Sequence, residues 1–184
     1  KTYRRTDLSE ELRNRHSEVC NKEQHALRRL KEHSQPILDG IRTQIGSGIE
    51  LGRECLVQSI LNRIQESQIV LVSGRAGSGK SSVAKKVIEH SFPDCFTFAF
   101  RAEEFADSHL DRTLNNAQVA INGVTLGAVL SGQSHKLLMV DSVERLLEAT
   151  NRDAFTDLLT LLQNDSSWHV ILTCRDYSTD LVRS

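Results

Sequence analysis

The sequence is poor in the residues that define several protein classes. Its 184 residues include only 2 prolines and 10 glycines, which excludes collagen-like chains and proline-rich linkers. The formal net charge is −1, so the overall composition does not favour binding to nucleic acid or to an acidic membrane. No apolar run approaches the roughly 18 residues that a membrane-spanning helix needs. With 39% hydrophobic and 26% charged residues, the composition is typical of a globular domain.

The 4 cysteines are spread along the chain and form no CxxC pair. Nothing indicates the disulfide framework of a small secreted protein, and no signal peptide is recognisable. The 7 histidines lack the HExxH spacing of zinc sites. We therefore expect reduced thiols and a cytoplasmic protein.

The composition changes near residue 45. Residues 1–45 are polar and carry a thin apolar stripe at helical spacing, which predicts a helical linker or appendage. Its broken heptads argue against a coiled coil, so the helix either packs on the following domain or leads to a preceding module. Its small basic clusters fit a solvated helix face, and we do not expect this fragment to bind nucleic acid. Because the chain starts at Lys1 and stops in a helical pattern, we expect a piece of a larger protein.

Residues 46–184 alternate between short apolar runs and helical segments. The runs that predict buried strands are 68–73, 95–100, 136–140 and 168–174. The segments that predict helices are 55–65, 80–90, 115–130, 143–149 and 152–163. Continuous apolar strands separated by helices predict an α/β domain with three layers, in which helices cover both faces of a parallel sheet.

Residues 74–81 (GRAGSGKS) match the phosphate-binding pattern GxxxxGK[ST] in full. A predicted strand enters this loop and a predicted helix leaves it, so the fold is that of a P-loop NTPase. Glycines let the backbone approach a phosphate closely, and the helix N-terminus adds its positive end. The candidate nucleotide-binding residues are Gly74, Arg75, Ala76, Gly77, Ser78, Gly79, Lys80, Ser81 and Ser82.

A phosphate loop also needs residues that hold a metal ion. Lys80 is the candidate for contact with the β- and γ-phosphates, and the hydroxyl of Ser81 is a candidate Mg²⁺ ligand. Asp141 follows the apolar run 137–140 at the carboxyl end of a predicted strand, where ligands bind in parallel sheets. It is the second candidate for Mg²⁺; the alternative is that it caps the following helix.

Three further polar residues are candidates for catalysis or nucleotide sensing. Many hydrolysing P-loop ATPases carry Glu directly after the metal-binding Asp, but here Ser142 stands there. Glu144 either orients the attacking water or is an ordinary acid in the first turn of a helix, and slow hydrolysis follows from this pattern. Thr173 and Arg175 end the fourth strand. We predict that they reach the γ-phosphate, whereas Arg175 in a surface ion pair with Asp176 or Asp180 is the alternative.

The sequence resembles the STAND class of P-loop ATPases, which contains the NACHT and NB-ARC domains, over about residues 49–184. Residues 49–54 (IELGRE) are similar to its hhGRE element, which implies that Gly52 and Arg53 lie near the base and ribose. Residues 137–144 (LLMVDSVE) resemble a NACHT-like Walker B motif, and residues 171–175 (ILTCR) resemble the sensor strand. Glu50 at an apolar position, and Asp176 where the family often has Pro, depart from the pattern.

The resemblance implies a switch that binds ATP or ADP with Mg²⁺. In such proteins ADP holds a closed monomer, and ATP together with a trigger allows self-association in innate immunity, cell death or defence against phage. The trigger and the effector are unknown from this sequence. An AAA+-like motor acting on DNA or protein is the main alternative, although Ser142 argues against it. The few arginines in 142–167 disfavour a small-molecule kinase, which needs several in its lid. The lack of an NKxD motif disfavours a GTPase. The intact phosphate loop disfavours an adaptor that binds no nucleotide.

Overall fold

The computed structural model describes residues 5–45, 48–91 and 94–183, with the side chains of 5–18, 45, 50 and 183 left aside. In chain order the elements are α1 (Arg5–Gly40), β1 (Gln44–Ile45), β2 (Ile49–Glu50), α2 (Glu54–Glu66), β3 (Ile69–Gly74), α3 (Lys80–Glu89), β4 (Cys95–Arg101), α4 (Leu110–Asn116), α5 (Gly123–Ser131), β5 (His135–Asp141), α6 (Glu144–Glu148), α7 (Asp153–Gln163), β6 (Trp168–Arg175) and α8 (Thr179–Arg183). Short 3₁₀ helices occupy Ala102–Phe105 and Asp176–Ser178.

The four long strands form one parallel sheet in the order β3-β6-β5-β4. Five consecutive residues in the middle of β5 are buried, as expected for a strand that is covered on both faces. Because all four strands run in the same direction, their carboxyl ends lie at one edge of the sheet. The predicted phosphate loop follows β3 at that edge.

Helices cover both faces of this sheet. On one face, α4, α5 and α7 pack over a cluster that includes Phe98, Leu138 and Trp168. On the other face, α2 and α3 pack over a cluster that includes Met139 and Ile171. The predicted three-layer α/β fold is therefore confirmed.

The second half of α1 packs across the free edge of β4. Ala26 and Leu30 join the cluster on one face of the sheet, and Ile37 joins the cluster on the other. Between them, the buried hydroxyl of Ser34 accepts a hydrogen bond of 2.8 Å from the amide of Ala99. An edge strand otherwise leaves such amides unpaired. Of the two alternatives for this helix, the contacts match packing on the domain.

No helix in the described ranges combines the length and the apolar character needed to cross a membrane.

The segment predicted as one helix over 115–130 is two helices in the structure, α4 and α5. The break follows α4, where Gln118 adopts a positive φ of 58°. Arg29 donates hydrogen bonds to the backbone and side-chain oxygens of Gln118, which hold this conformation. The side chain of Asn122 then accepts a hydrogen bond from the amide of Thr125 and caps the new helix.

An ion pair that the sequence did not predict joins the starts of β5 and β6. Lys136 is 1% exposed, and its ammonium lies 2.7 Å from the carboxylate of Asp165. Burial alone would raise the pKa of Asp165, but hydrogen bonds from Lys136 and Ser167 outweigh it and lower the pKa from 3.8 to about 2. The folded chain therefore holds Asp165 ionised at acidities where the unfolded chain protonates it.

Lys136→Met is expected to lower the thermal stability at pH 5 by more than it does at pH 2. The folded pKa of Asp165 lies below its unfolded value, so the stabilisation is complete above about pH 4 and disappears as the pH falls towards 2. The difference in Tm between wild type and variant should shrink by a few degrees, since about 1 kcal/mol corresponds to roughly 2–4 °C in a domain of this size. Thermal unfolding followed by circular dichroism measures it, and a difference that stays constant over this range would contradict the linkage.

Candidate functional site

The parallel register brings the predicted site residues to one edge of the sheet. Gly74 at the end of β3 lies opposite Arg175 at the end of β6. On the other side of β6, Val140 lies opposite Leu172, which places Asp141 next to Thr173. The phosphate-loop pattern, the Walker B acid and the sensor strand therefore converge, although they are far apart in the sequence.

The loop between β3 and α3 has a backbone that glycine makes possible. Gly77 and Gly79 have φ values of 73° and 84°, a region that L-residues with side chains rarely adopt. Lys80 begins α3, and its ammonium donates a hydrogen bond of 3.0 Å to the carbonyl oxygen of Arg75. The lysine thus lies over the loop that the pattern assigns to phosphate. Ser82 is half-buried in the first turn of the same helix.

Asp141 is held by two hydroxyl groups. The hydroxyl of Ser81 donates a hydrogen bond of 2.6 Å to Oδ1 of Asp141, and the hydroxyl of Thr173 donates one of 2.7 Å to the same oxygen. Thr173 is fully buried and also accepts a hydrogen bond of 2.9 Å from the amide of Ser142. The two predicted metal ligands, Ser81 and Asp141, are therefore in direct contact. A hydroxyl and a carboxylate are the hard oxygen donors that Mg²⁺ prefers, so this pair fits the ion.

The role of Thr173 as a hydrogen-bond partner of Asp141 was missed in the sequence. The signal for this role was a hydroxyl residue near the end of β6, which pairs with β5, the strand that carries Asp141. The sequence drew attention to Ser142 after Asp141 but did not predict its backbone conformation. Its φ of 64° is a left-handed conformation that bulky and β-branched residues avoid, which explains a small residue directly after Asp141.

The alternative role of Asp141 as a helix cap does not match the geometry. The residue before α6 is Val143, and no side-chain hydrogen bond caps this helix. Both described contacts of Oδ1 of Asp141 lead to Ser81 and Thr173 instead. The position of Asp141 is thus set by the phosphate-loop helix and by β6.

Glu144 and Arg175 form an ion pair with each other. The Nε atom of Arg175 lies 3.3 Å from Oε1 of Glu144. Glu144 is only 7% exposed, and its other oxygen, Oε2, has no hydrogen-bond partner among the described residues. Within that part of the chain, the ion pair of Arg175 is with this glutamate and not with Asp176 or Asp180. Sequence reasoning had treated the two residues separately.

Arg53 directly precedes α2, and Gly52 lies next to it in an exposed position. The Nη1 atom of Arg53 donates hydrogen bonds of 2.7 Å and 3.1 Å to the carbonyl oxygens of Ser78 and Gly79. The GRE element thus touches the phosphate loop through a side chain.

A family model described as "Novel STAND NTPase 1" (nSTAND1) matches residues 49–183. The chain belongs to the nSTAND1 family. It is therefore a nucleotide-binding NTPase domain, and the resemblance to the STAND class is confirmed. A comparison with curated protein sequences gives no significant match.

The nSTAND1 domain is similar in structure to the ORC2 protein of Aeropyrum pernix, which was solved as ADPNP–ADP complexes. The TM-score is 0.50 at 18% sequence identity, over 71% of this chain and 43% of the ORC2 chain. This likeness shows the fold. The chain spans less than half of the length of that protein.

Proposed function

We propose that this nSTAND1 domain is an ATP-binding switch that hydrolyses ATP slowly. The observation that carries the proposal is the convergence of Lys80, Ser81 and Asp141 beside a loop with two left-handed glycines. A cation, a hydroxyl, a carboxylate and inward-pointing amides are the groups that a nucleoside triphosphate with Mg²⁺ requires. The ADPNP and ADP named for the ORC2 protein support adenine as the base.

Each residue has a separate role in this proposal. Lys80 leaves the carbonyl oxygen of Arg75 and binds the β- and γ-phosphates. Ser81 and Asp141 hold Mg²⁺, which neutralises part of the phosphate charge when it is bound. Thr173 acts through Asp141, since both described hydrogen bonds of its hydroxyl fix the strand end that carries the carboxylate. Residues 46–184 supply these groups, and the second half of α1 supports the sheet from outside that range.

The Glu144–Arg175 pair suits a sensor better than a fast hydrolase. Arg175 is half-exposed at the edge of the sheet, so its guanidinium can reach a γ-phosphate while Glu144 orients it. Because Oε1 of the buried Glu144 is paired with Arg175, we assign Glu144 the orientation of this arginine and not the activation of water. With Ser142 directly after Asp141, we expect turnover well below the tens per second that favour an AAA+-like motor, the alternative function.

In this proposal the bound nucleotide controls self-association. We propose that the ATP-bound form self-associates in the cytoplasm in response to a trigger, in signalling or defence of the kind found in NACHT proteins. The chemistry of the trigger and of the effector is left open in this proposal.

Titration of the chain with a fluorescent ATP analogue tests the proposal. We expect saturable binding that Mg²⁺ strengthens and that unlabelled ATP or ADP reverses. A steady-state ATPase assay on the same sample should give little turnover. Absence of binding with and without Mg²⁺ would contradict the proposed function, whereas binding with rapid turnover would favour the motor.

Asp141→Asn is expected to remove most of the gain in affinity that Mg²⁺ provides and to leave Mg²⁺-free binding nearly unchanged. The amide keeps an oxygen that can accept the hydrogen bonds from Ser81 and Thr173, but it lacks the negative charge that attracts the cation. The measurement is the ratio of dissociation constants with and without Mg²⁺. Asp94→Asn, an exposed residue directly before β4 at the amino end of the sheet, is the matched control and should keep the wild-type ratio. An equal loss under both conditions would argue against a metal role for Asp141.

A further inference from the structure

The outer side of the phosphate loop is occupied by the side chain of Arg53. Its Nη1 atom lies 2.7 Å from the carbonyl oxygen of Ser78 and 3.1 Å from that of Gly79. A Cβ atom built on Gly79 would collide with the guanidinium, whose Cζ atom would be 2.8 Å away. A side chain at this position would therefore push the guanidinium away from the loop, and the positive φ separately favours glycine.

The two carbonyl groups that Arg53 binds belong to peptides whose amides the site needs. The carbonyl of Ser78 shares its peptide with the N–H of Gly79, and the carbonyl of Gly79 shares its peptide with the N–H of Lys80. These peptides are trans, so the C=O and N–H groups point in opposite directions. The carbonyl oxygen of Gly79 also accepts a hydrogen bond of 3.0 Å from the amide of Val83, so α3 and Arg53 fix this carbonyl together, whereas the described partner of the Ser78 carbonyl is Arg53. Fixing the two carbonyls on the outside of the loop aims both N–H groups at its inside.

Arg53 is itself held firmly. Its own carbonyl oxygen accepts hydrogen bonds of 3.0 Å from the amides of Leu56 and Val57, which begin α2. Val57 is buried in the same cluster as Val83 of α3, the helix that follows the loop. Arg53 therefore acts from a backbone that is packed against the element it orients.

We propose that Arg53 is a positioning residue that pre-orients the amides of Gly79 and Lys80 for phosphate. The inference rests on the proposed function of the loop and differs from a contact with base or ribose, which the GRE element implies. A guanidinium held on the outside of the loop also adds a fixed positive charge that a phosphate experiences. Preorganised donors bind an anion more tightly because less motion is lost on binding.

Arg53→Met tests this inference with two readouts. The first is the ¹⁵N relaxation of the nucleotide-free chain. We expect order parameters near 0.85 at Gly79 and Lys80 in the wild type and a fall to below about 0.6 in the variant. The second is binding of tripolyphosphate and of ATP, which should weaken by the same factor of roughly 10, as for the loss of hydrogen bonds to a charged group. Arg63→Met, in the helix α2 that Arg53 precedes, removes the same charge and should change neither readout.

The outcomes separate the inference from the function on which it rests. Unchanged order parameters in Arg53→Met would overturn the inference, whether or not the chain binds nucleotide. A loss of affinity for ATP without a loss for tripolyphosphate would also overturn it, because Arg53 would then contact base or ribose. If the wild type binds neither compound, the proposed function fails, and the relaxation data still decide whether Arg53 orders the loop. Arg53→Gln, which is neutral and too short to reach the carbonyls, replaces Arg53→Met if that variant does not fold.

Discussion

Lys80→Ala is expected to weaken the binding of ATP with Mg²⁺ by roughly 100-fold, because a charge-assisted hydrogen bond contributes about 1.5–3 kcal/mol and each 1.4 kcal/mol is about tenfold. The ammonium of Lys80 lies over the loop, where it donates a hydrogen bond to the carbonyl oxygen of Arg75. Alanine is the strongest helix former, so α3 should remain intact. The buried face of α3, which includes Val83 and Val87, does not contain the substituted residue.

The measurement is a titration with fluorescent ATP, with thermal unfolding as a check on folding. Lys86→Ala, further along α3, is the matched control, since it removes the same charge from the same helix at a distance from the loop. We expect it to bind as the wild type does. If Lys80→Ala kept the wild-type affinity and the wild-type Tm, the assignment of the phosphate loop would be wrong.

Leu30→Ala is expected to destabilise the whole domain by about 2–5 kcal/mol, the usual cost of removing a buried leucine side chain. Leu30 is fully buried although it lies before the residues that the family model matches. It packs in the cluster with Phe98, and Ser34 one turn later pairs with the edge of β4. Loss of this contact should loosen β4 and, through it, the strand β5 that carries Asp141.

Thermal or urea unfolding measures this effect. Val19→Ala in the same helix is the control, because Val19 is 54% exposed and should change stability by no more than about 0.5 kcal/mol. If residues 1–45 were only an appendage, Leu30→Ala and Val19→Ala would have the same small effect. A large loss of stability in Leu30→Ala but not in Val19→Ala would show that the second half of α1 is part of the NTPase domain.

Local patterns predicted most of the elements. The strands β3, β4, β5 and β6 were identified because each is a largely apolar run, as is typical of strands in a parallel sheet covered by helices. The phosphate loop was recognised because its glycines and Lys80 stand at fixed spacing. Such signals lie within about ten residues of sequence and need no knowledge of the fold.

Contacts between distant segments were not predictable in the same way. Gln118 breaks the predicted helix because Arg29 holds its left-handed backbone, and nothing near Gln118 in the sequence indicates that arginine. The pairing of Glu144 with Arg175 likewise depends on the order of strands in the sheet. The contact of Arg53 with the phosphate loop joins two motifs whose packing only the folded chain defines.

The proposed function requires that main-chain amides of the loop between β3 and α3 donate hydrogen bonds to a triphosphate. A crystal structure of the chain with ADPNP and Mg²⁺ tests this claim directly. We predict that the β- and γ-phosphates lie within hydrogen-bond distance of the amides around Gly79 and Lys80, with the metal ion beside Ser81 and Asp141. Nucleotide bound elsewhere, or a loop whose amides point away from the phosphates, would contradict it.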